Sequence, residues 1–304
     1  MNKRKISLLI SSILLFSMLL LGVVHPFTAA ASSTTTLVNK QIQWLKSKTL
    51  SGGFEPESVF AASVTGKSVP EVIATYRKFN NRDFSYESKI HVYSYDTKSK
   101  KWIIASSFQY KGLDSPYMYI TKGKLIDSKK EQVVLGTVGG SGGFLTPILL
   151  GSTDGKTVKI LLAPKESYYS GDAVIRNKEL FFLTNTIVEK KVIFKNGKFY
   201  SYKGTGADDR KVAAGVKYLL TLEKRNGKTV YTGSRNITLK VGEKFSIVRK
   251  DPKDSSHYGY RILFSGDILE SGVVITAKKP GKEILTFEPE AYGDSIEITV
   301  TVRK

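Results

Sequence analysis

From Val59 onward the chain is written in short β-branched and aromatic runs, each soon broken by Gly, Asn, Asp or Lys. Runs of this length with period-two alternation form strands, and the breakers between them form turns. Ahead of them, Leu37, Val38, Gln41, Ile42 and Leu45 fall near helical spacing with Trp44 alongside, which predicts one short helix stopped by Ser51-Gly52-Gly53. Ser32-Ser33-Thr34-Thr35-Thr36 reads as a polar, flexible lead-in. The fold class expected is all-β.

The runs repeat. Pro70-Glu71-Val72-Ile73-Ala74-Thr75 is echoed by Lys130-Glu131-Gln132-Val133-Val134-Leu135 and by Lys178-Glu179-Leu180-Phe181-Phe182-Leu183, with the glutamates 60 and then 48 residues apart. Each echo is followed by a strand, a polar turn and a second strand; the turns are Asp96–Lys101, the Asp154-Gly155 pair and Lys195-Asn196-Gly197-Lys198. Asp-Gly and Asn-Gly supply the positive φ that tight hairpins need. Three degenerate units at this spacing predict stacked or radial β-modules over residues 32–205.

The N-terminus points to export. Lys3, Arg4 and Lys5 precede an apolar run from Ile6 to Val24, and Ala29 and Ala31 suit a signal peptidase, so residues 1–31 read as a signal peptide. An uncleaved anchor is the rival reading, because the apolar run approaches the length of a membrane span; no later stretch is apolar enough to cross. The chain has no cysteine, which excludes a lipoprotein anchor, disulfides, thiol catalysis and thiolate metal sites. The expected location is extracellular, with retention at the cell wall as a variant of it.

Charge is strongly one-sided. Residues 32–205 hold 26 basic and 14 acidic side chains, a net of +12, whereas residues 206–304 hold 18 and 13, a net of +5. Outside the membrane such a surface meets anionic wall polymers, phospholipid headgroups or released nucleic acid, and the same excess also serves solubility or export. Gly204-Thr205-Gly206-Ala207-Asp208-Asp209 reads as a loop at the domain boundary. Beyond it, Tyr218–Leu222, Thr229–Tyr231, Ile237–Ile247, Tyr260–Phe264, Val273–Ala277, Ile284–Phe287 and Ile296–Val302 predict a β-sandwich over residues 206–304.

Two resemblances follow from these residues. The repeated units resemble blades of FG-GAP-type repeats of integrin-like propellers, which implies a propeller-like or partial-propeller domain. The calcium loops of that family do not carry over. Thr65-Gly66-Lys67-Ser68 and Lys122-Gly123-Lys124-Leu125-Ile126-Asp127-Ser128 set lysines where a hard cation needs oxygen ligands. Ile237–Phe245, Ala277-Lys278-Lys279-Pro280-Gly281-Lys282 and the closing alternating strand resemble bacterial immunoglobulin-like modules and the chagasin-type inhibitors of cysteine peptidases. Of the three inhibitor loops, Asp251–Tyr260 keeps a proline and a Gly-Tyr pair, Asp267–Gly272 is too short, and Pro289-Glu290-Ala291-Tyr292 lacks Arg and Trp.

Chemistry-bearing motifs are few. Gly139-Gly140-Ser141-Gly142-Gly143 satisfies the G-x-S-x-G pattern, but Pro147 spoils the helix that a nucleophile elbow needs, and His91 precedes the serine. Gly151–Thr157 has one residue too few for a P-loop and reads as a hairpin turn. His91 and His257 have no second histidine at ligand spacing, so no zinc or other cofactor is expected. Adjacent Asp208 and Asp209 do not oppose each other as a glycosidase pair would.

What remains is a binding surface. Tyr117 and Tyr119, Tyr168 and Tyr169, and Tyr200 and Tyr202 stand among lysines, and His257, Tyr258 and Tyr260 mark the inhibitor-like loop. Aromatics interleaved with cations stack on sugars or bases while lysines meet phosphates, although alternating aromatics are also ordinary half-buried sheet residues. The expected function is non-catalytic binding of an anionic cell-wall polymer or another envelope protein, with no specific nucleic acid. Cysteine-peptidase inhibition is the alternative and serine hydrolysis the third reading.

Overall fold

In the middle strand of every repeat the apolar side chains point both ways, and both faces are covered. The computed structural model describes residues 33–141, 143–289 and 295–304. The expected signal peptide, and Glu290, Ala291 and Tyr292 of the third inhibitor-like loop, lie outside the described residues.

Three sheets of four antiparallel strands follow one another, each with its strands in chain order. The first holds β1 (Glu55–Ala62), β2 (Glu71–Asn80), β3 (Ser85–Asp96) and β4 (Lys101–Leu113). The second holds β5 (Met118–Gly123), β6 (Gln132–Gly139), β7 (Phe144–Gly151) and β8 (Lys159–Leu162). The third holds β9 (Gly171–Arg176), β10 (Glu179–Thr184), β11 (Ile187–Lys195) and β12 (Lys198–Lys203).

Side-chain parity builds the layers. Val72, Ala74 and Tyr76 of β2 pack with Val38 and Leu45 of a helix α1, whose described residues are 33–46. Ile73, between them, joins Val133 and Leu135 of β6 in the next layer. Val134 turns the other way onto Leu180 and Phe182 of β10. Phe181 and Leu183 then meet Val212 of helix α2 (Gly206–Val212). Each fully buried aliphatic or aromatic side chain stabilises by about 1.5–3 kcal/mol, so the near-continuous apolar runs in β2, β6 and β10 are explained by burial on two faces. Helix α1 reaches further toward the N-terminus than its apolar spacing alone predicts: Ser33–Thr36 are helical rather than a flexible lead-in.

The repeat register differs by one residue from the sequence echo. Glu71 accepts hydrogen bonds from the Val64 and Thr65 amides and from the Thr65 hydroxyl. In the second unit Gln132, not Glu131, takes this place, its Oε1 accepting from the Leu125 and Ile126 amides at 2.7 and 3.0 Å. Glu131 instead fastens the first unit to the second, accepting from the Ser63 amide at 2.7 Å. In the third unit the preceding loop has shrunk to a hairpin at Asn177 and Lys178, both with positive φ, and Glu179 pairs with Lys211.

The last part of the chain forms two further sheets that share one core. One contains β13 (Tyr218–Arg225), β14 (Lys228–Tyr231), β16 (Lys244–Arg249), β18 (Leu269–Glu270) and β19 (Ile275–Ala277). The other contains β15 (Asn236–Lys240), β17 (Tyr260–Leu263), β20 (Gly281–Pro289) and β21 (Ile296–Arg303). The run Ile237–Ile247 is therefore two strands in different sheets, split at Gly242, whose φ of 85° suits the turn. Asn226 and Gly227, both at positive φ, close the β13–β14 hairpin as their sequence predicts.

Asp208 and Asp209 are not in a loop. Thr205 caps α2 and forms a capping box with Asp208, which outweighs the two glycines nearby. Asp209 is fully buried and ties the third sheet to the final part: it accepts from the Val188 amide at 2.8 Å, the Arg249 amide at 2.9 Å and the Arg249 guanidinium at 3.3 Å. Among the described residues no helix is long and apolar enough to cross a membrane.

Candidate functional site

The nine aromatic and histidine positions singled out by sequence do not form one surface. Tyr117 and Tyr168 are buried in the inter-sheet layers, and Tyr258 and Tyr260 are buried in the core shared by the last two sheets. The alternation that marks them is that of strands and loops covered on both sides, so their rings serve packing. Tyr119 packs against Phe60 of the first sheet with ring centroids 4.4 Å apart. Tyr119, 38% exposed, remains within reach of a partner, as do two groups: Tyr200 and Tyr202 on β12, and Tyr169 and His257 beside a cleft.

The β11–β12 hairpin has an unusual charge pattern. Lys195 stands directly opposite Lys198, and Lys190 directly opposite Lys203. Like charges in such positions repel and destabilise the pair. Lys190 is compensated by Glu166 at 2.5 Å, but Lys195, Lys198 and Lys203 have no ion-pair partner among the described residues. Lys198, Tyr200 and Tyr202 share one face of β12, and Tyr200 and Tyr202 are 40% and 48% exposed. Because β12 pairs only with β11, it is an edge strand, and its lysines also discourage pairing with another edge. Lys191, opposite Tyr202, is held by Asp208 at 2.9 Å.

The cleft lies on the other side of this sheet, with a volume near 610 Å³. One wall includes Phe144, the first residue of β7; Ser141, in the turn before it, is exposed with a strand on either side. Leu145 and Tyr168 exchange backbone hydrogen bonds of 2.9 and 3.0 Å, which sets Tyr168 and Tyr169 beside Phe144. Gly171 permits this approach, because a Cβ there would lie 2.3 Å from the Tyr168 carbonyl. The rings of Phe144 and Tyr169 meet edge to face at 5.4 Å. The opposite wall brings His257, whose Nδ1 lies 3.1 Å from Glu189, together with Lys190 and Lys203. Tyr168 is stacked on Phe182 and its hydroxyl finds no hydrogen-bond partner among the described residues. Burial, then the nearby Glu166 and Glu189 carboxylates, hold that phenol well above its ordinary pKa, so it stays protonated.

The inhibitor-like loop is not free. Its Pro252 and Asp254 carbonyls accept the Ala207 and Gly206 amides of α2, and the Tyr258 hydroxyl donates to Asp254 at 2.5 Å.

The pre-strand lysines have internal oxygen partners. Lys122 Nζ lies 2.7 Å from the Ala61 carbonyl and 3.3 Å from Glu131, and Lys130 Nζ lies 3.1 Å from Asp127. Asp154 organises its hairpin by accepting from the Thr157 and Lys156 amides, which depress its pKa. Among the described residues no group of three metal-ligating side chains is drawn together. No protein-family model matches the chain, and no curated protein matches its sequence.

Proposed function

We propose that the chain is an exported, non-catalytic envelope protein that binds an anionic surface polymer through residues 32–205. In this reading the three sequential four-stranded sheets are an incomplete propeller, and the last two sheets are an immunoglobulin-like module that serves as a spacer or second surface. The observation that carries it is the β11–β12 hairpin. The opposed pair Lys195–Lys198 shares a face with exposed Tyr200 and Tyr202. A bound polyanion relieves the repulsion between these opposed lysines and releases condensed counterions, so binding gains where the free hairpin is least favourable.

The test is binding of polyglycerol phosphate to the whole mature protein at low and physiological salt. Wild type should bind with affinity that falls steeply as salt rises. Lys195→Gln with Lys198→Gln should weaken binding and flatten the salt slope by about 1–2, and Tyr200→Ala with Tyr202→Ala should weaken it with little change in slope. Salt-insensitive binding, or lysine variants that bind like wild type, would refute the proposal.

A further inference from the structure

The cleft beside the polymer surface carries features that packing does not account for. Tyr168 is only 4% exposed, yet its hydroxyl has no partner among the described residues. Leaving a buried polar group unpaired is unfavourable, and Tyr168 is one of the residues that line a cavity of ligand size. Phe144, 43% exposed at the rim, turns its ring against Tyr169 and leaves an apolar platform open to the cavity. Glu166 pairs with Lys190 and Glu189 lies 3.1 Å from His257 Nδ1, and each carboxylate keeps lone pairs to spare. Lys203 lines the same cavity without an ion-pair partner among the described residues.

These groups select a particular chemistry. An apolar platform flanked by hydrogen-bond acceptors suits a ring that is apolar on its C–H face and hydroxylated at its edge. Two carboxylates disfavour a phosphate or nucleotide, which would meet like charge. The unpaired ammonium of Lys203 favours a single negative group at one end of the ligand. We propose that the cleft binds a sugar ring bearing a carboxylate, with the ring on Phe144, its hydroxyls on Glu166, Glu189 and the Tyr168 hydroxyl, and its acid on Lys203. This site lies on the face of the hairpin opposite the Lys195–Lys198 pair and does not depend on the role of that pair.

Saturation-transfer NMR on the whole mature protein, with glucuronic acid and glucose as probes, tests the assignment. Glucuronic acid should receive saturation at its ring C–H protons and bind several-fold more tightly than glucose. Tyr168→Phe, which keeps the stack on Phe182 and removes only the hydroxyl, should cost about tenfold in affinity, equivalent to one hydrogen bond. Phe144→Ala, at an exposed position with little bearing on folding, should cost at least as much. Lys203→Gln should abolish the preference for glucuronic acid, and Lys195→Gln with Lys198→Gln should leave it intact. Three results would overturn the proposal: no transfer to either sugar, equal binding of the two by wild type, or unchanged affinity in both Tyr168→Phe and Phe144→Ala.

Discussion

Residues 55–203 and residues 218–303 are both built from β-strands and the turns between them, and they bury their apolar residues in different ways. In the first region each sheet is completed by neighbours in sequence, strand after strand, and the sheets then stack so that both faces are covered. In the second region the chain crosses between two sheets, and β13 with β16 and β15 with β21 pair in parallel. There one face of each sheet meets the shared core. The first region thus forms mostly from local hairpins, whereas the second needs distant segments to meet before any sheet is complete, which is the slower route. The two are joined by contacts that neither region contains alone: the Asp209–Arg249 pair, and Thr186, whose hydroxyl donates to the Ile247 carbonyl at 2.6 Å.

The largest effect should come from breaking that joint. Asp209→Ala removes the charge partner of the fully buried Arg249 guanidinium and the acceptor of the Val188 and Arg249 amides, and should cost about 3–5 kcal/mol. Urea unfolding of the protein should then separate into two transitions, where wild type shows one. A single transition in the variant would mean that the regions unfold together for other reasons.

A smaller effect sharpens the comparison among the three repeats. Glu71→Ala leaves the Thr65 amide and hydroxyl without their acceptor in a buried loop, and Gln132→Ala leaves the Leu125 and Ile126 amides without theirs; each should lose about 1–3 kcal/mol. Glu179→Ala removes only a partly exposed pair with Lys211 and should lose no more than about 1 kcal/mol. Chemical denaturation of the three variants gives the ranking directly, and an equal loss in all three would make the third unit equivalent to the others.

The smallest effect concerns pH at the same junction. Asp172, on β9, is held above its ordinary pKa by burial, against the opposing hydrogen bonds from the Ala173 and Val273 amides. A carboxyl raised in the folded state contributes most to stability below its unfolded value of 3.8 and loses that contribution as pH rises through the folded pKa. Asp172→Asn should therefore be more stable than wild type at neutral pH, with the difference shrinking as the solution is acidified toward that value. Melting curves at several pH values check the sign; a difference that grows on acidification would contradict it.

Much of this fold is legible in the chain. Alternation locates the strands, and Asn-Gly locates two of the tightest hairpins, where both central residues have positive φ. The repeat is legible too, but its register is ambiguous because Glu131 and Gln132 are adjacent acceptors and only the loop they fold under distinguishes them. Helix α2 hides because it is seven residues long, too short for an apolar period. Its signal was the Thr205-Gly206-Ala207-Asp208 capping box. The tyrosines mislead for a different reason: period-two spacing identifies a face but does not say whether another sheet covers it. The cleft has no local signature at all, since Phe144, Tyr168, Glu189 and His257 come from four separate stretches of the chain.

The two helices at the ends of the stacked sheets have a consequence for solubility. A sheet whose outer face carries Val72, Ala74 and Tyr76 would accept another such sheet as readily as it accepts α1. Repeat arrays stay soluble only when their terminal units present a polar outer side, and here that duty falls on a helix which buries Val38 and Leu45 and leaves Trp44 and its lysine neighbours outward. Removing α1 would uncover an apolar face of the kind that drives aggregation. The N-terminal helix is in effect the stopper that keeps one molecule from continuing into the next.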